Sequence, residues 1–181
     1  SPASLPPDAV DRLEARGYFR MSQKLWLELM QTVPPRPDDP AIEAQETPDI
    51  DTWAETVAAG VGLSAYADFV RQLGRATHLA PFHRLLLATY KGRPAGGCEV
   101  SVDNSMAMLR HLSVVEAYRH KGIALALLRE AYELLEDLKV VRLVTRVYAG
   151  TGAERILERY GFVASHISEE YVCLMPPFFV D

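Results

Sequence analysis

Leu112-Ser113-Val114-Val115-Glu116-Ala117-Tyr118-Arg119-His120-Lys121-Gly122-Ile123-Ala124 is the stretch of sequence that decides the fold. An apolar strand ending near Val114 leads into a short loop. Apolar residues then recur at the i, i+3, i+4, i+7 spacing of one helical face, at Ala124, Leu127, Leu128, Ala131, Leu135 and Leu138. The pattern predicts a helix that begins at or just before Gly122.

The first turn of this predicted helix is suited to bind an anion. Its backbone N–H groups have no partner inside the helix, and the helix dipole adds partial positive charge at the same end. Arg119, His120 and Lys121 lie just before it, where basic side chains oppose the dipole unless an anion is bound. We therefore predict a phosphate site here, against the alternative of a solvated basic turn.

The segment Arg119-His120-Lys121-Gly122-Ile123-Ala124 resembles the Arg/Gln-x-x-Gly-x-Gly/Ala pyrophosphate loop of the GNAT superfamily of acyl-CoA-dependent N-acetyltransferases. Leu112-Ser113-Val114 is similar to the strand before that loop, and Tyr160-Gly161-Phe162 resembles the end of the family's last helix. The loop pattern is short, but its position between a predicted strand and a predicted helix makes the resemblance specific. The resemblance covers roughly residues 40 to 175.

This resemblance implies that the chain binds acetyl-CoA or coenzyme A. Backbone groups of Leu112 and Val114 would contact the pantetheine, and the diphosphate would contact Arg119, His120, Lys121, Gly122, Ile123 and Ala124. Because Gly122 lacks a Cβ, we expect the ligand to approach the backbone there. The resemblance also implies that the strand ending at Val114 and a later strand ending at Tyr148 splay apart, which opens a slot for the pantetheine arm.

The length, composition and charge of the chain limit the classes of protein to which it can belong. A chain of 181 residues with 49% hydrophobic and 24% charged residues is typical of one globular domain. No apolar run reaches the ~18 residues of a membrane helix and no signal segment is visible, so we expect a cytoplasmic protein with no membrane partner. Ser1 is not an initiator Met, which indicates a processed or truncated start. A net charge of −5 and a pI near 5.6 argue against nucleic acid and favour a cationic or neutral second substrate.

The two cysteines, Cys98 and Cys173, lie in predicted strands. Their spacing fits no metal motif and gives little reason to expect a disulfide. We therefore predict no metal site and two buried thiols.

A proline-rich stretch divides the chain. Four prolines fall within Pro34-Pro35-Arg36-Pro37-Asp38-Asp39-Pro40, a composition typical of a semi-extended linker. We predict an N-terminal extension and linker over residues 1–40 and a GNAT-like domain over residues 41–181. Within the extension a short helix would end at Gly17, and Tyr18 to Met30 fits either strand or helix.

From residue 41 the sequence alternates between strand and helix periods. Helices are predicted at Ile50 to Gly60, at Ser64 to Gly74, from Gly122, and after the capping box Thr151-Gly152-Ala153-Glu154. Strands are predicted at Ala41–Gln45, Arg84–Tyr90, Ala95–Asp103, Met106–Val114 and Val140–Tyr148, followed by a hairpin of Phe162–Ile167 and Tyr171–Met175 around Ser168-Glu169-Glu170. The order predicts an α/β fold: a single GNAT-like domain with a central mixed, mostly antiparallel sheet flanked by helices, preceded by the extension.

Acyl transfer from a thioester to an amine needs a base for the ammonium and is helped by an acid for the leaving thiolate. The resemblance implies a tyrosine acid on the last helix, four residues before the Gly of Gly-Phe, but that position is Leu157. The customary Asn seven residues earlier corresponds to Gly150. We expect Tyr160 to pack in the core, so Tyr148, at the end of a strand lining the slot, is the candidate hydroxyl.

The resemblance implies a Glu or His base on the strand before the loop. Alternation places Met108, Arg110 and Leu112 on the relevant face, and none of them can serve. His111 is out of phase and should point to the opposite face unless a bulge intervenes. Glu99, on the neighbouring strand, is therefore the candidate base, with a plain surface carboxylate as the alternative.

Two functions stay open. One is an N-acetyltransferase that moves the acetyl group of acetyl-CoA directly to the amine of an unidentified small molecule or peptide. The other is a non-catalytic module that binds CoA or acyl-CoA as a sensor or structural ligand, which Leu157, Gly150 and the missing strand carboxylate would suit. A homodimer is left open. We expect the acceptor pocket to come from the loops Gly60–Leu63, Ala149–Gly152 and His166–Glu170.

Overall fold

A seven-stranded sheet organises the molecule. The computed structural model describes residues 6–30, 34–35, 37–78 and 82–173. The strands are β1 (Tyr18–Leu29), β2 (Ile42–Glu46), β3 (His83–Tyr90), β4 (Arg93–Asp103), β5 (Met106–Val114), β6 (Arg142–Tyr148) and β7 (Phe162–Cys173). The helices are α1 (Ala9–Glu14), α2 (Ile50–Val61), α3 (Ala67–His78), α4 (Ile123–Asp137) and α5 (Gly152–Arg159), with short 3₁₀ turns at Ser64–Tyr66 and Glu116–Tyr118.

The strand order is β2-β3-β4-β5-β6-β1-β7. Every neighbouring pair is antiparallel except β5 and β6, which run parallel. Helices flank this mixed, mostly antiparallel sheet on both faces. The predicted α/β fold is therefore confirmed.

Two apolar clusters hold the helices to the sheet. Under α4 and α5 lies the main core, in which Leu127, Leu128 and Leu157 are buried. On the other face, Trp53 of α2 and Val70 of α3 form a second cluster with β3. Helix α2 contacts β3, β4 and β5, and α3 contacts β3. The site described below takes residues from the helices of both faces.

Local sequence signals bound two of the helices. Asp49 caps α2, because its carboxylate accepts a hydrogen bond from the backbone N–H of Thr52 at 3.0 Å. Thr151 caps α5 in the same way, with its Oγ1 accepting from the N–H of Glu154 at 3.4 Å. The Glu154 carboxylate accepts from the N–H of Gly150 at 2.6 Å rather than from Thr151, so the predicted capping box is present in a modified form.

Strand β1 lies inside the sheet and pairs antiparallel with both β6 and β7. Leu25, Leu27 and Leu29 alternate along it and are buried in the main core. This corrects the expectation that residues 1–40 stand outside the domain. The proline-rich stretch connects two strands of one sheet, and Pro34 within it is buried, its carbonyl accepting from Nη1 of Arg129 at 3.0 Å.

The end of the chain also differs from the prediction. Phe162–Cys173 is one continuous strand instead of a hairpin, because β1 supplies a pairing partner along its whole length. Glu169 and Glu170, which were expected in a turn, pair with Gln23 and Ser22 of β1. Residues 174 and 175 of the predicted last strand lie outside the described residues.

Helix α3 runs through Gly74, where the sequence predicts its end. A Cβ at Gly74 would come within 3.0 Å of Cγ2 of Ile50 and 3.3 Å of the Trp53 ring. The glycine therefore allows α3 to pack closely on α2 and does not terminate it.

Candidate functional site

The parallel strands β5 and β6 separate part-way along their length. They pair only between Met106–Leu109 and Arg142–Thr145. Oγ1 of Thr145 donates to the Leu109 carbonyl at 3.0 Å, which closes the pairing. Beyond this point a cavity of about 1000 Å³ opens between the strands, with residues of α4 and α5 in its walls. The facing backbone edges of β5 and β6 are not paired with each other there, so an extended ligand could bond to them.

The predicted phosphate loop borders this cavity. His120 and Gly122 have left-handed backbone, at φ 62° and 94°. Helix α4 begins at Ile123, and no side chain caps its N-terminus at Gly122. The loop thus presents the uncapped first turn of a 15-residue helix to the cavity, which is a favourable geometry for a phosphate.

The predicted cofactor-binding residues divide into two groups. Those that line the cavity are Leu112, Val114, Arg119, His120, Gly122, Ile123 and Ala124. Lys121 does not line it, and its Nζ lies 5.3 Å from the centroid of the Tyr90 ring. Side chains in the first group differ in character, since Ile123 is buried in the main core whereas His120 is exposed.

Arg119 has a second role in the loop. Its Nη2 donates to the carbonyl of Gly60 at 3.1 Å and its Nε approaches the carbonyl of Val114 at 3.4 Å. The guanidinium thus links the end of α2 to the end of β5. Arg119 holds the walls of the cavity together in addition to bringing positive charge to it.

The reason for glycine at position 122 is corrected. A Cβ there would point at Cβ of Pro37, at 3.3 Å, and at Cδ1 of Ile42, at 3.5 Å. It would not block the approach of a ligand. Glycine is favoured at this position because a φ of 94° is costly for any residue with a Cβ.

A β-bulge in β5 brings His111 into the cavity. Gly97 pairs with Ser113 and Glu99 with Arg110, so that residues 111 and 112 together oppose Cys98 alone. His111 itself has φ 56°. The bulge breaks the alternation that would have turned the imidazole to the opposite face. His111 consequently lines the cavity beside Arg110.

Glu99 is completely buried behind these two residues, at 0% exposure. Its Oε1 accepts from Nη2 of Arg110 at 2.9 Å and lies 2.7 Å from Nδ1 of His83. Its Oε2 lies 3.7 Å from Nε2 of His111 and has no hydrogen-bond partner among the described residues. The alternative of a surface carboxylate is therefore wrong. Glu99 does not line the cavity, so it can act on a substrate only through His111 or Arg110.

The environment of His111 favours the neutral imidazole. Burial lowers the pKa of His111 below its ordinary value, the negative charge of Glu99 opposes that change, and the positive charge of Arg110 adds to it. The Trp53 ring meets the imidazole edge-on, with 6.2 Å between ring centroids. A neutral, oriented imidazole that reaches the cavity can accept a proton near pH 7.

The structure reverses the expected positions of Tyr148 and Tyr160 relative to the cavity. Tyr148 is 51% exposed and does not line the cavity, and its ring lies 5.2 Å from Nζ of Lys24. Tyr160, at the end of α5, is half-buried against the main core and lines the cavity. Leu157 is buried at 3% exposure, as expected. Of these two tyrosines, Tyr160 is therefore the one at the slot, which Tyr118 also lines.

The described part of the chain holds neither a metal-binding cluster nor a helix that could span a membrane. Its His, Cys, Asp and Glu side chains form no group of three or more that could hold a metal ion. Cys98 is buried, as predicted, but Cys173 is only half-buried, and both are free thiols. None of the helices over these residues combines the length and apolarity needed to span a bilayer.

Comparison with protein families gives a match to the bulk of this chain. A family model described as an acetyltransferase (GNAT) domain matches residues 57–173. No curated protein matches the chain.

Solved structures share the fold. A GCN5-related N-acetyltransferase from Sphaerobacter thermophilus has a TM-score of 0.71 at 22% identity, over 93% of this chain and 59% of that chain. A functionally unknown conserved protein from Staphylococcus epidermidis has a TM-score of 0.71 at 14% identity, over 94% of this chain and 68% of that chain. AAC(6')-Iy in complex with the bisubstrate analog CoA-S-monomethyl-acetylneamine has a TM-score of 0.60 at 12% identity, over 69% of this chain and 92% of that chain. This chain thus spans about three fifths of the length of the Sphaerobacter protein.

Proposed function

Because the chain belongs to the GNAT acetyltransferase family, we propose that it transfers the acetyl group of acetyl-CoA to the amine of a small-molecule acceptor. One observation carries the proposal. The slot between β5 and β6 runs from the uncapped N-terminus of α4 to the imidazole of His111, which is backed by the buried carboxylate of Glu99. A binding site for a diphosphate and a proton acceptor thus open into one cavity.

The residues along the slot fit coenzyme A. The first-turn N–H groups of α4 and the side chain of His120 would hold the diphosphate. The unpaired edge of β5 near Leu112 and Val114 would bond to the amides of the pantetheine. When bound, acetyl-CoA supplies the activated acetyl thioester. The solved complex of AAC(6')-Iy with a CoA-containing analog shares this fold.

The reaction would form a bond between the amine nitrogen and the acetyl carbon and break the carbon–sulfur bond. His111 would take the proton that the amine loses, and the Glu99 carboxylate, 3.7 Å away, would stabilise the resulting imidazolium. Tyr160 would donate a proton to the leaving thiolate. His111 makes catalysis a better-supported proposal than a sensor that only binds CoA, since a sensor needs no base.

Acetyl-CoA should stabilise the protein against heat. At 100 times its Kd it should add about 2.7 kcal/mol to the free energy of unfolding. Gly122→Ala should lose most of this gain, because the substitution strains the turn that aligns the first-turn N–H groups. Thermal melts with and without acetyl-CoA measure both effects.

Gly92→Ala is the matched control. Gly92 has φ 72° in the turn between β3 and β4, away from the cavity, and a Cβ there would meet no atom within 4 Å. Each substitution should cost about 1–2 kcal/mol of stability through its left-handed backbone, but only Gly122→Ala should reduce the ligand-induced shift. If acetyl-CoA raised the melting temperature of both variants equally, the diphosphate would not bind at this loop.

The tyrosine pair tests the acid. Tyr160→Phe should lower kcat about tenfold or more while KM for acetyl-CoA changes little, because the hydroxyl would act only on the leaving group. Tyr148→Phe, which removes the same atom outside the cavity, should leave kcat unchanged. Thiol release under saturating substrates measures both. A fall in kcat for Tyr148→Phe alone would restore Tyr148 as the donor.

A further inference from the structure

The cavity is basic although the protein is acidic. The chain carries a net charge of −5. The charged residues that line the cavity are nevertheless Arg110, Arg119, Arg146 and Arg159, accompanied by His111 and His120, and no Asp or Glu is among the described lining residues. The charge of the whole chain suggested a cationic or neutral substrate, but the charge of this cavity indicates the opposite.

Basic residues lie at both ends of the slot. Arg119 and His120 belong to the phosphate loop. Arg110 pairs with Glu99 and Val114 with Gly96, three residues apart on β4, which at ~3.3 Å per residue puts Arg110 about 10 Å up the strand from the end that leads into this loop. Leu109 pairs with Thr145, so the next residues on the two diverging strands are Arg110 and Arg146. These two arginines therefore flank the narrow end of the slot, beside His111.

Arg110 is only partly neutralised. Its Nη2 donates to Glu99 at 2.9 Å, and its side chain is 34% exposed. The Glu99 carboxylate is shared with His83 and His111 and stays out of the cavity. The Nε of Arg110 is buried and has no hydrogen-bond partner among the described residues. The guanidinium is thus fixed in position by Glu99, and its exposed part keeps N–H donors for a ligand.

Arg146 has no ion pair or hydrogen bond to its side chain within the described ranges. Its guanidinium carbon lies 5.6 Å from the centroid of the Trp26 ring. Trp26 in turn stacks on His166 at 5.2 Å and donates from Nε1 to Oγ of Ser168 at 3.1 Å. Stacking orients a guanidinium and leaves its N–H edge free for a planar oxyanion.

Glu170, an acidic group on which the charge of Arg146 acts, is already paired with other residues. The carboxylate of Glu170 accepts from Ser22 at 2.6 Å and is also paired with Lys24. Its pKa is lowered chiefly by the hydrogen bond from Lys24, and the charge of Arg146 contributes least. The positive charge of Arg146 therefore remains available to a ligand.

We propose that the acceptor is a small amine that also carries a carboxylate or another oxyanion, which Arg110 and Arg146 hold so that the amine faces His111. The inference rests on the proposed function and names its substrate class. Bidentate contacts from arginine suit a carboxylate or a phosphate. The same two cations disfavour the ammonium form of an amine beside them, so more of the bound amine is neutral and able to attack the thioester.

Matched pairs of acceptors test the substrate class. Each amino acid is compared with its own carboxamide, and aminoalkyl phosphates are compared with the corresponding amino alcohols, by thiol release at saturating acetyl-CoA. The anionic member of a pair should have a kcat/KM at least about tenfold higher, as expected for hydrogen bonds to a charged group. The two sets of pairs distinguish a carboxylate acceptor from a phosphate acceptor.

A matched pair of variants tests the residues. Arg146→Gln should reduce the preference for the anionic acceptor by about tenfold or more while KM for acetyl-CoA stays unchanged. Arg155→Gln is the control, because Arg155 is exposed on α5 and does not line the cavity. An Arg146→Gln variant that weakens acetyl-CoA instead would assign this arginine to the cofactor and overturn the inference.

Anion binding can also be measured without turnover. Acetate and inorganic phosphate are titrated into CoA-saturated protein while arginine Nε–H resonances are followed by NMR. A saturable shift that disappears in Arg146→Gln supports the inference, and its absence from wild type overturns it. If neutral amines react as well as anionic ones, this inference fails and the proposed function stands. If acetyl-CoA produces no thermal stabilisation, the proposed function fails first and the substrate class with it.

Discussion

Deletion of residues 1–36 should leave a chain that does not fold. The deletion removes β1, which pairs with both β6 and β7, and takes Leu25, Leu27 and Leu29 out of the main core. Loss of one buried leucine side chain typically costs about 2–5 kcal/mol, so losing three, together with two strand pairings, exceeds the stability of about 5–15 kcal/mol that a domain usually has. Far-UV circular dichroism and a thermal melt should show no cooperative transition.

A shorter deletion is the control. Removal of residues 1–16 takes away α1, which has no buried residue, and leaves β1 intact. This variant should melt within a few degrees of the full chain and keep its stabilisation by acetyl-CoA. If the 1–36 deletion also melts cooperatively and binds acetyl-CoA, the domain boundary at residue 40 would be correct after all.

Replacement of His111 should have the largest effect on catalysis. His111→Gln should lower kcat by about 10²–10⁴-fold, which is the usual contribution of a general base. KM for acetyl-CoA should change little, because the imidazole lies at the acceptor end of the slot. Thiol release measures the rate, and a melt with acetyl-CoA checks that the variant is folded and binds. Unchanged kcat in a folded variant would eliminate His111 as the base.

The pH dependence has a definite sign. Burial lowers the pKa of His111, so the neutral form that accepts a proton is already present at neutral pH. Titration of His111 should therefore leave the kcat of wild type unchanged above pH 6.5, which is about the ordinary pKa of histidine. As the pH drops through the lowered pKa of His111, kcat should fall. Stability linked to this group should also decrease as the pH falls through about 6.5, since the unfolded chain takes up the proton first.

Glu99→Gln is the companion variant for this profile. The charge of Glu99 raises the pKa of His111, so its removal should move the acidic limb of kcat to lower pH. In His111→Gln the part of the acidic fall in kcat that is due to His111 should disappear, and only the part that is due to titration of the acceptor amine should remain. A limb that stays in place in both variants would belong to another group.

Local patterns in the sequence were enough to predict the phosphate loop and most of the elements. The 3.6-residue period after Gly122 describes α4, and the cap at Thr151 sets the start of α5. These signals arise from hydrogen bonds and packing between residues close in the chain. The order of elements was sufficient to predict the α/β fold, whereas the slot was expected from the resemblance to the GNAT superfamily.

The catalytic candidates could not be predicted in this way. Alternation along a strand assumes an unbroken ladder, but residues 111 and 112 of β5 together oppose Cys98 alone, and only the paired strands show this bulge. A glutamate is usually expected at the protein surface. Only the assembled sheet buries Glu99 among Arg110, His83 and His111. Similarly, only the assembled structure shows that Tyr148 lies outside the cavity and that Tyr160, at the end of α5, lines it.

By itself the sequence was enough to predict the basic loop before α4, the cap of α5 and the class of fold, because the loop and the cap depend on residues close in the chain and the order of elements restricts the fold. The tertiary structure alone decided that β1 belongs inside the sheet, that His111 reaches the cavity, and that Arg110 and Arg146 follow the last paired residues of β5 and β6. Those features depend on how one strand pairs with its neighbours. Sequence periodicity says which face of a strand is apolar, but the register of the neighbouring strands decides which side chains come together.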